Sequence, residues 1–79
     1  MMLFYIFSIM LPPQHTIITK RETEILRYVN TGMTSSEIAN QLSLSKHTVD
    51  NHRKNILRKT GSRNMLEMVQ WGMKNNLLP

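Results

Sequence analysis

The chain has 79 residues, no cysteine, and ten Lys and Arg residues against five Asp and Glu residues, which gives a net charge of +5 and a pI near 10.1. A chain of this length forms one domain with a thin core, so we expect neither an enzyme that encloses a substrate nor a bound cofactor. The absence of cysteine excludes a disulfide framework and cysteine–zinc sites.

The positive charge is concentrated in one segment of the chain. Residues 45–63 hold six cations and one anion, and six minus one is +5, whereas the cations and anions of the other residues cancel. Such a cluster indicates a polyanionic partner. On charge alone, a solvated basic helix face is the alternative.

Residues 1–11 form an apolar segment that only Ser8 interrupts and that Pro12-Pro13 ends. The segment is too short to span a bilayer as a helix, which needs about 20 residues, and it lacks the features of a secretory signal. It packs on the domain or on a second copy, anchors weakly at a membrane surface, or is the remnant of a longer protein's linker. We therefore expect an N-terminal segment with a Pro-Pro linker over 1–15, a helical domain over 16–79, and no membrane span.

Four capping patterns, each followed by an apolar pattern of helical period, predict four helices after the linker. The capping residues are Thr19 with Glu22, Thr34 with Glu37, Ser45, and Asn64 with Glu67. The predicted helices cover residues 20–30, 34–42, 46–60 and 65–75. Gly32 and Gly61 close the first and third helices. The expected fold is an all-α four-helix bundle.

The second and third predicted helices are separated only by Ser43-Leu44-Ser45. A link this short is typical of a helix-turn-helix. Ala39 is small enough to let the two helices cross closely, and Leu44 is expected to lie buried beneath the crossing. A bundle without a DNA-binding role is the alternative, because short helix pairs are common.

On a helical wheel, the third helix turns Val49 and Ile56 toward the core and a polar line away from it. The line consists of His47, Asn51, Lys54 and Arg58, with Asp50 beside it. Asparagine can bond adenine through two edge atoms, lysine can donate to guanine, and aspartate can accept from the cytosine amino group. Recognition helices place their N-terminal part against base edges, and phosphate contacts then position the protein. The predicted base contacts are His47, Asp50, Asn51 and Lys54. The predicted phosphate contacts are Lys46, Thr48, Arg53, Arg58 and Lys59.

The third helix also carries His52, which falls at the edge of the core. We expect a packed histidine that is bonded to another helix. His47 and His52 lack the i, i+4 spacing of a helical metal pair, so no metal site is expected.

The predicted fourth helix is apolar on more than one side. Leu66, Val69 and Met73 form an i, i+3, i+7 stripe that is predicted to face the core. The remaining apolar surface is assigned to a dimer interface, which would present two recognition helices about one DNA turn apart. The predicted dimer contacts are Met65, Met68 and Trp71. Cover from residues 1–11 is the alternative.

These patterns resemble the LuxR-type (GerE/NarL-like) helix-turn-helix domain of bacterial transcription regulators over about residues 17–75. The resemblance is carried by Lys20-Arg-Glu-Thr-Glu-Ile-Leu26, Glu37-Ile-Ala39, Leu42, Ser45, Thr48-Val49, His52, Ile56 and Lys59. It implies that the third helix enters the major groove, that the fourth supports dimerisation, and that bases are contacted from the positions of Asp50, Asn51 and Lys54. Two positions depart from the family pattern: Asp50 stands where Lys or Arg is frequent, and Thr60 replaces the usual leucine.

The resemblance implies a sequence-specific regulator of transcription that binds double-stranded DNA as a homodimer in the cytoplasm, at the nucleoid. A larger regulator or RNA polymerase would be a further partner. The alternative is a small interaction protein that pairs with a larger LuxR-type regulator and modulates it. Most family members carry a receiver or ligand-binding domain before the helix-turn-helix, so the chain is either a stand-alone regulator or a piece of a larger one.

Overall fold

A computed structural model describes residues 18–79, so the N-terminal segment and Pro-Pro linker predicted over 1–15 lie outside the described residues. The described part consists of four helices with no strand: α1 (Lys20–Asn30), α2 (Ser35–Leu42), α3 (Lys46–Thr60) and α4 (Met65–Lys74). The predicted all-α class and the four helices are confirmed. The bounds differ by one residue at two ends, because Thr34 and Asn75 are cap residues rather than helical ones. No helix within 18–79 is long and apolar enough to cross a membrane.

The first two helices begin with complete capping boxes. The Thr19 hydroxyl accepts from the Glu22 N–H at 3.1 Å, and Glu22 Oε1 accepts from the Thr19 N–H at 2.9 Å. Thr34 and Glu37 repeat this exchange at 3.2 and 2.9 Å. Each box satisfies two backbone donors that a helix start otherwise leaves unpaired, so both starts are fixed locally.

The other two helices begin with simpler caps. The Ser45 hydroxyl accepts from the Thr48 N–H at 3.1 Å, and Asn64 Oδ1 accepts from the Glu67 N–H at 3.0 Å. The Asn64 box is not reciprocal, because Glu67 Oε1 accepts instead from the backbone N–H of Arg63 at 2.8 Å. The predicted caps are therefore confirmed, while the full box predicted at Asn64 is not formed.

The core lies where α1 packs on α3 and α4, α2 packs on α3, and α3 packs on α4. The fully buried side chains are Ile25, Leu26, Ile38, Val49, Ile56 and Met68. Ala39 is buried at the close crossing of α2 and α3, and its carbonyl accepts from the Leu44 N–H at 2.9 Å. Leu44 is half-buried rather than buried. The face predicted for α3, with Val49 and Ile56, is the one that packs.

The third helix ends with a threonine whose hydroxyl is satisfied. Thr60 Oγ1 donates to the Ile56 carbonyl at 2.8 Å, and the Ser62 hydroxyl lies 2.7 Å from the same oxygen. A threonine has one hydroxyl hydrogen, so Ser62 is the donor of the second bond. The half-buried Thr60 therefore replaces the usual leucine without leaving an unpaired polar atom.

The fourth helix packs through a face other than the predicted one. Met68 is fully buried and Gly72 is buried, whereas Leu66 and Met73 are 67% and 47% exposed. The prediction that Leu66, Val69 and Met73 face the core is therefore wrong for Leu66 and Met73. Met68, which we assigned to a dimer surface, lies inside the domain.

The C-terminal tail explains this choice of face. The chain reverses at Asn76 (φ 62°), and the N–H groups of Leu77 and Leu78 donate to the Gly72 carbonyl at 2.8 and 3.2 Å. The Leu78 side chain then enters the core with 6% of its surface exposed. A Cβ on residue 72 would lie 2.8 Å from Leu78 Cδ1 and 2.9 Å from Leu26 Cδ2. A larger residue at position 72 would therefore force the Leu26 and Leu78 side chains to shift.

Candidate nucleic-acid interface

The polar side of α3 faces solvent along its length. The exposed line consists of His47, Asn51, Lys54 and Arg58. Val49 and Ile56, on the opposite side, are fully buried. The orientation predicted from the helical wheel is confirmed, and we call these four side chains the α3 polar line.

An open groove of about 360 Å³ lies against this side of α3. Its lining contains all four predicted base-contacting residues, which are His47, Asp50, Asn51 and Lys54. Arg53, Leu57 and Met65 complete the lining. Leu57 and Met65 were not anticipated here, and Met65 was predicted as a dimer contact. The start of α4 brings Met65 beside α3, and the groove therefore has an apolar side as well as a polar one.

Asp50 lies in the groove with its charge already compensated. Lys46 Nζ donates to its Oδ2 at 2.8 Å. The Lys46 ammonium, followed by the Ser35 hydroxyl, holds the pKa of Asp50 below its usual range. Arg53 Nη1 also donates to Ser35 Oγ, at 3.3 Å. Ser35, buried at the first turn of α2, thus faces both an anion and a cation of α3, a role that the sequence did not indicate.

His47 and Asn51 are one helical turn apart on the α3 polar line and are joined by a hydrogen bond. Asn51 Nδ2 lies 3.3 Å from His47 Nε2. An amide nitrogen can only donate, so the imidazole nitrogen accepts. The two side chains that we predicted as separate base contacts are therefore coupled in the free protein.

Lys59 is not at this surface. Its Nζ donates to Glu22 Oε1 at 2.7 Å and to Oε2 at 2.9 Å. The Lys59 and Glu22 side chains are 14% and 4% exposed. The predicted phosphate contact of Lys59 is wrong for this fold, because its ammonium joins the end of α3 to the capping box of α1.

The Glu22 carboxyl responds to opposing influences. Burial, the largest of these, raises its pKa. The hydrogen bonds from Lys59 and Thr19, together with the charge of Lys59, outweigh burial and hold the pKa of Glu22 below its usual range. The carboxylate is therefore ionised at neutral pH, as its ion pair requires.

Ion pairing changes where the basic charge is available. Three of the six cations counted in residues 45–63 are paired with carboxylates. The pairs are Lys46–Asp50, Lys59–Glu22 and Arg63–Glu67. Within residues 18–79, the α3 cations without a carboxylate partner are Arg53, Lys54 and Arg58. The remaining positive charge of α3 is thus found on the α3 polar line and beside it.

Two other candidate residues of α3 have local roles. Thr48, a predicted phosphate contact, is half-buried, and its hydroxyl accepts from the Ser45 hydroxyl at 2.9 Å. His52 is half-buried, but the predicted bond from its ring to another helix is not formed among residues 18–79. No group of three or more His, Cys, Asp or Glu side chains in that part of the chain is placed to hold a metal ion.

The three predicted dimer contacts do not share one surface. Met65 lines the groove beside α3, Met68 is in the core, and Trp71 is half-buried. The large apolar side chains that α4 exposes are instead Leu66 and Met73.

Comparison with known proteins agrees with this architecture. Residues 16–72 match the family described as bacterial regulatory proteins, luxR family. Over 61 residues the chain is 38% identical to the Fimbriae Z protein of Salmonella typhimurium, covering 77% of this chain and 29% of that protein. Over 57 residues it is 40% identical to the uncharacterized response regulatory protein YgeK of Escherichia coli, covering 72% and 39%. Over 66 residues it is 39% identical to the transcriptional activator protein AhyR of Aeromonas hydrophila, covering 84% and 25%.

A solved structure shares the fold. The crystal structure of the response regulator ChrA of a heme-sensing two-component system aligns with a TM-score of 0.77 and 26% identity, covering 92% of this chain and 35% of that one. The resemblance seen in the sequence is therefore confirmed. The chain spans 25 to 39% of the length of the curated relatives named above.

Proposed function

The chain belongs to the LuxR family of bacterial regulatory proteins, and from this premise we propose that it binds double-stranded DNA sequence-specifically and regulates transcription in the bacterial cytoplasm, at the nucleoid. One observation carries the proposal: the four predicted base-contacting side chains line a single open groove on the exposed side of α3. An exposed helix with both donors and acceptors suits the major groove, where each base pair presents a distinct hydrogen-bonding pattern.

The base contacts that we propose are His47, Asp50, Asn51 and Lys54. Asn51 offers an amide to adenine and Lys54 an ammonium to guanine. Asp50 is an acceptor for the cytosine amino group, and its pairing with Lys46 reduces the repulsion that a free carboxylate would meet among phosphates. The operator is therefore expected to contain a cytosine where family members with a basic residue at this position read another base.

The phosphate contacts that we propose come from the flanks of the same helix. Arg53 and Arg58 have no carboxylate partner within residues 18–79. Lys46 is paired at the surface with 63% of its side chain exposed, so its ammonium, which has three N–H donors, can meet a phosphate while it still donates to Asp50. Thr48 contributes a neutral hydroxyl. These contacts set the position of α3 on the duplex and make binding depend on salt.

The homodimer that we propose forms on DNA through the exposed stripe of α4. Leu66 and Met73 are 67% and 47% exposed, and Val69 lies between them half-buried. An isologous contact along this stripe would set two α3 helices about one DNA turn apart on a pseudo-palindromic site. The stripe takes the place of Met65, Met68 and Trp71 in the proposed interface.

Selection from a random DNA pool, followed by fluorescence anisotropy on the selected operator, tests the proposal. We expect a pseudo-palindromic consensus and an affinity that falls steeply with salt. Lys54→Glu should lower the affinity by at least about tenfold, because it removes a base contact and adds repulsion. Lys74→Glu, the same charge change at the far end of α4, is the matched control and should bind as the wild type does. A pool that yields no preferred sequence, or a Lys54→Glu variant that binds normally, would overturn the proposal.

The exposed stripe of α4 also favours a second candidate function, pairing with a larger LuxR-type regulator. Leu66→Glu separates the two candidates. Loss of pairing with a LuxR-type partner while operator affinity stays unchanged would favour the interaction protein, whereas loss of the cooperative dimer on DNA would favour the first proposal.

A further inference from the structure

The hydrogen bond between His47 and Asn51 requires one tautomer of the neutral imidazole. Asn51 Nδ2, an atom with two hydrogens and no acceptor capacity, lies 3.3 Å from His47 Nε2. The bond forms only if Nε2 is unprotonated, so the proton of the neutral ring is on Nδ1. In this arrangement His47 accepts one hydrogen of the Asn51 amide.

This arrangement leaves a particular pair of groups free on Asn51. With one N–H engaged by His47, the amide presents its carbonyl oxygen and its second N–H. Adenine offers a donor and an acceptor in the major groove, N6–H and N7, whereas guanine offers two acceptors, N7 and O6. One acceptor and one donor complement adenine, and guanine would require two donors.

The surroundings do not provide a competing acceptor for the amide. Asp50, the carboxylate in the groove, already accepts from Lys46 at 2.8 Å. Lys54 and Arg53 line the same groove but carry only donors. Among the described residues of the groove, His47 is the side chain that lies within hydrogen-bond distance of the Asn51 amide nitrogen.

We propose that His47 is a positioning residue that orients the Asn51 amide to read adenine, and that it thereby sets the preference for A·T over G·C at the base pair that Asn51 faces. This role rests on the proposed DNA-binding function and is separate from any contact that His47 makes with DNA itself. Without His47 the Asn51 amide rotates freely. Both of its N–H groups can then face the DNA, so it no longer discriminates against the two acceptors of guanine.

A double-mutant cycle on base preference tests this role. Dissociation constants are measured by anisotropy for the selected operator and for operators in which each A·T pair of a half-site is changed to G·C. The proteins are wild type, His47→Ala, Asn51→Ala and the double variant, each checked for native helicity. A bidentate amide–adenine contact is worth about 1–3 kcal/mol, or about 5- to 150-fold in preference at one base pair. We expect His47→Ala to reduce that preference at least about threefold in the wild-type background, which is less than the full contact because the Asn51 amide itself remains.

Comparing His47→Ala with and without Asn51 distinguishes an effect that acts through the Asn51 amide from a direct contact of His47 with the base. In the Asn51→Ala background, His47→Ala should leave the preference at that base pair unchanged. His47→Gln, whose side-chain oxygen can accept the same N–H, should restore it. Arg58→Ala, on the same line but toward the end of α3, is the control and should weaken binding to all operators alike. Nitrogen NMR of the free protein should find the His47 proton on Nδ1.

Three outcomes would overturn the inference. An unchanged preference in His47→Ala would refute it while leaving the proposed function intact. An equal effect of His47→Ala with and without Asn51 would show that His47 contacts the base independently. A wild-type protein that selects no DNA sequence would refute the proposed function, and the inference with it.

Discussion

Replacing Glu22 with glutamine should destabilise the domain by about 3 kcal/mol, because it leaves the Lys59 ammonium buried without a counter-ion. The two side chains are 4% and 14% exposed, and Lys59 Nζ lies 2.7 and 2.9 Å from the two carboxylate oxygens. Breaking a buried ion pair by removing one partner costs about 3–5 kcal/mol. The lower end applies because part of Lys59 remains in water. Glutamine keeps an oxygen that can accept from the Thr19 N–H, so the cap at the start of α1 is retained.

Urea unfolding followed by circular dichroism measures this change. The double variant Glu22→Gln/Lys59→Met removes the unpaired ammonium and should recover at least about 1 kcal/mol relative to Glu22→Gln alone. A single variant within about 0.5 kcal/mol of the wild type would mean that the pair behaves as a surface contact, and the reasoning would fail. It would also fail if the double variant were less stable than the single one.

The Lys59–Glu22 ion pair also leads to a prediction about which residues of α3 contact phosphates. Since Lys59 is held by Glu22, Lys59→Met should leave the salt dependence of operator binding unchanged under conditions where the variant is folded. Arg58→Met, the matched change one residue earlier, should reduce the slope of log affinity against log salt by about 0.9. A reduced slope in Lys59→Met would return Lys59 to the phosphate contacts.

Three further predictions concern the packing at Gly72, the pH dependence of the Glu22 ion pair and the two faces of α4. Gly72→Ala should lower the free energy of unfolding by about 1 kcal/mol, because overpacking against the Leu78 side chain at 2.8 Å outweighs the gain in helix propensity; a raised Tm would contradict this. Because the pKa of Glu22 is lower in the folded state than its ordinary value of 4.5, its contribution to stability is complete above that value and is lost as the pH falls through the folded-state pKa. The urea midpoint should therefore fall on acidification below that value, and Glu22→Gln should show a smaller decrease. Leu66→Glu should change the free energy of unfolding by less than about 0.5 kcal/mol and weaken dimer formation on the operator, whereas Met68→Ala should cost about 2–5 kcal/mol. The reverse order of stabilities would show that α4 packs through the face that the sequence indicated.

The sequence alone determined the features that depend on local contacts. A capping box joins residues only three apart, so Thr19 with Glu22 and Thr34 with Glu37 mark their helix starts whatever the rest of the chain does. The α3 polar line is equally local. Val49 and Ile56 are the apolar residues at helical spacing on α3, and burying them turns the polar side to solvent. The family resemblance follows the same local patterns.

In the fourth helix, the local sequence pattern does not determine which face is buried. It is apolar on several sides, and both Leu66 with Met73 and Met68 with Gly72 have helical spacing. The tail selects between them, because Leu78 returns to the Gly72 carbonyl and enters the core on that side. The buried face of α4 therefore cannot be predicted from the helix pattern alone, because it depends on which face the tail covers.

The distribution of charge also depends partly on the sequence and partly on the tertiary structure. The sequence alone shows an excess of +5 that is located in one segment. Only the tertiary structure decided which cations remain available, since Lys59 is taken up by Glu22 across 37 positions of sequence. Bonds between residues so far apart exist only after the helices pack. What the sequence determined was therefore the helices and the α3 polar line, whereas the packing of those helices decided which basic residues of α3 and which apolar residues of α4 remain free to meet a partner.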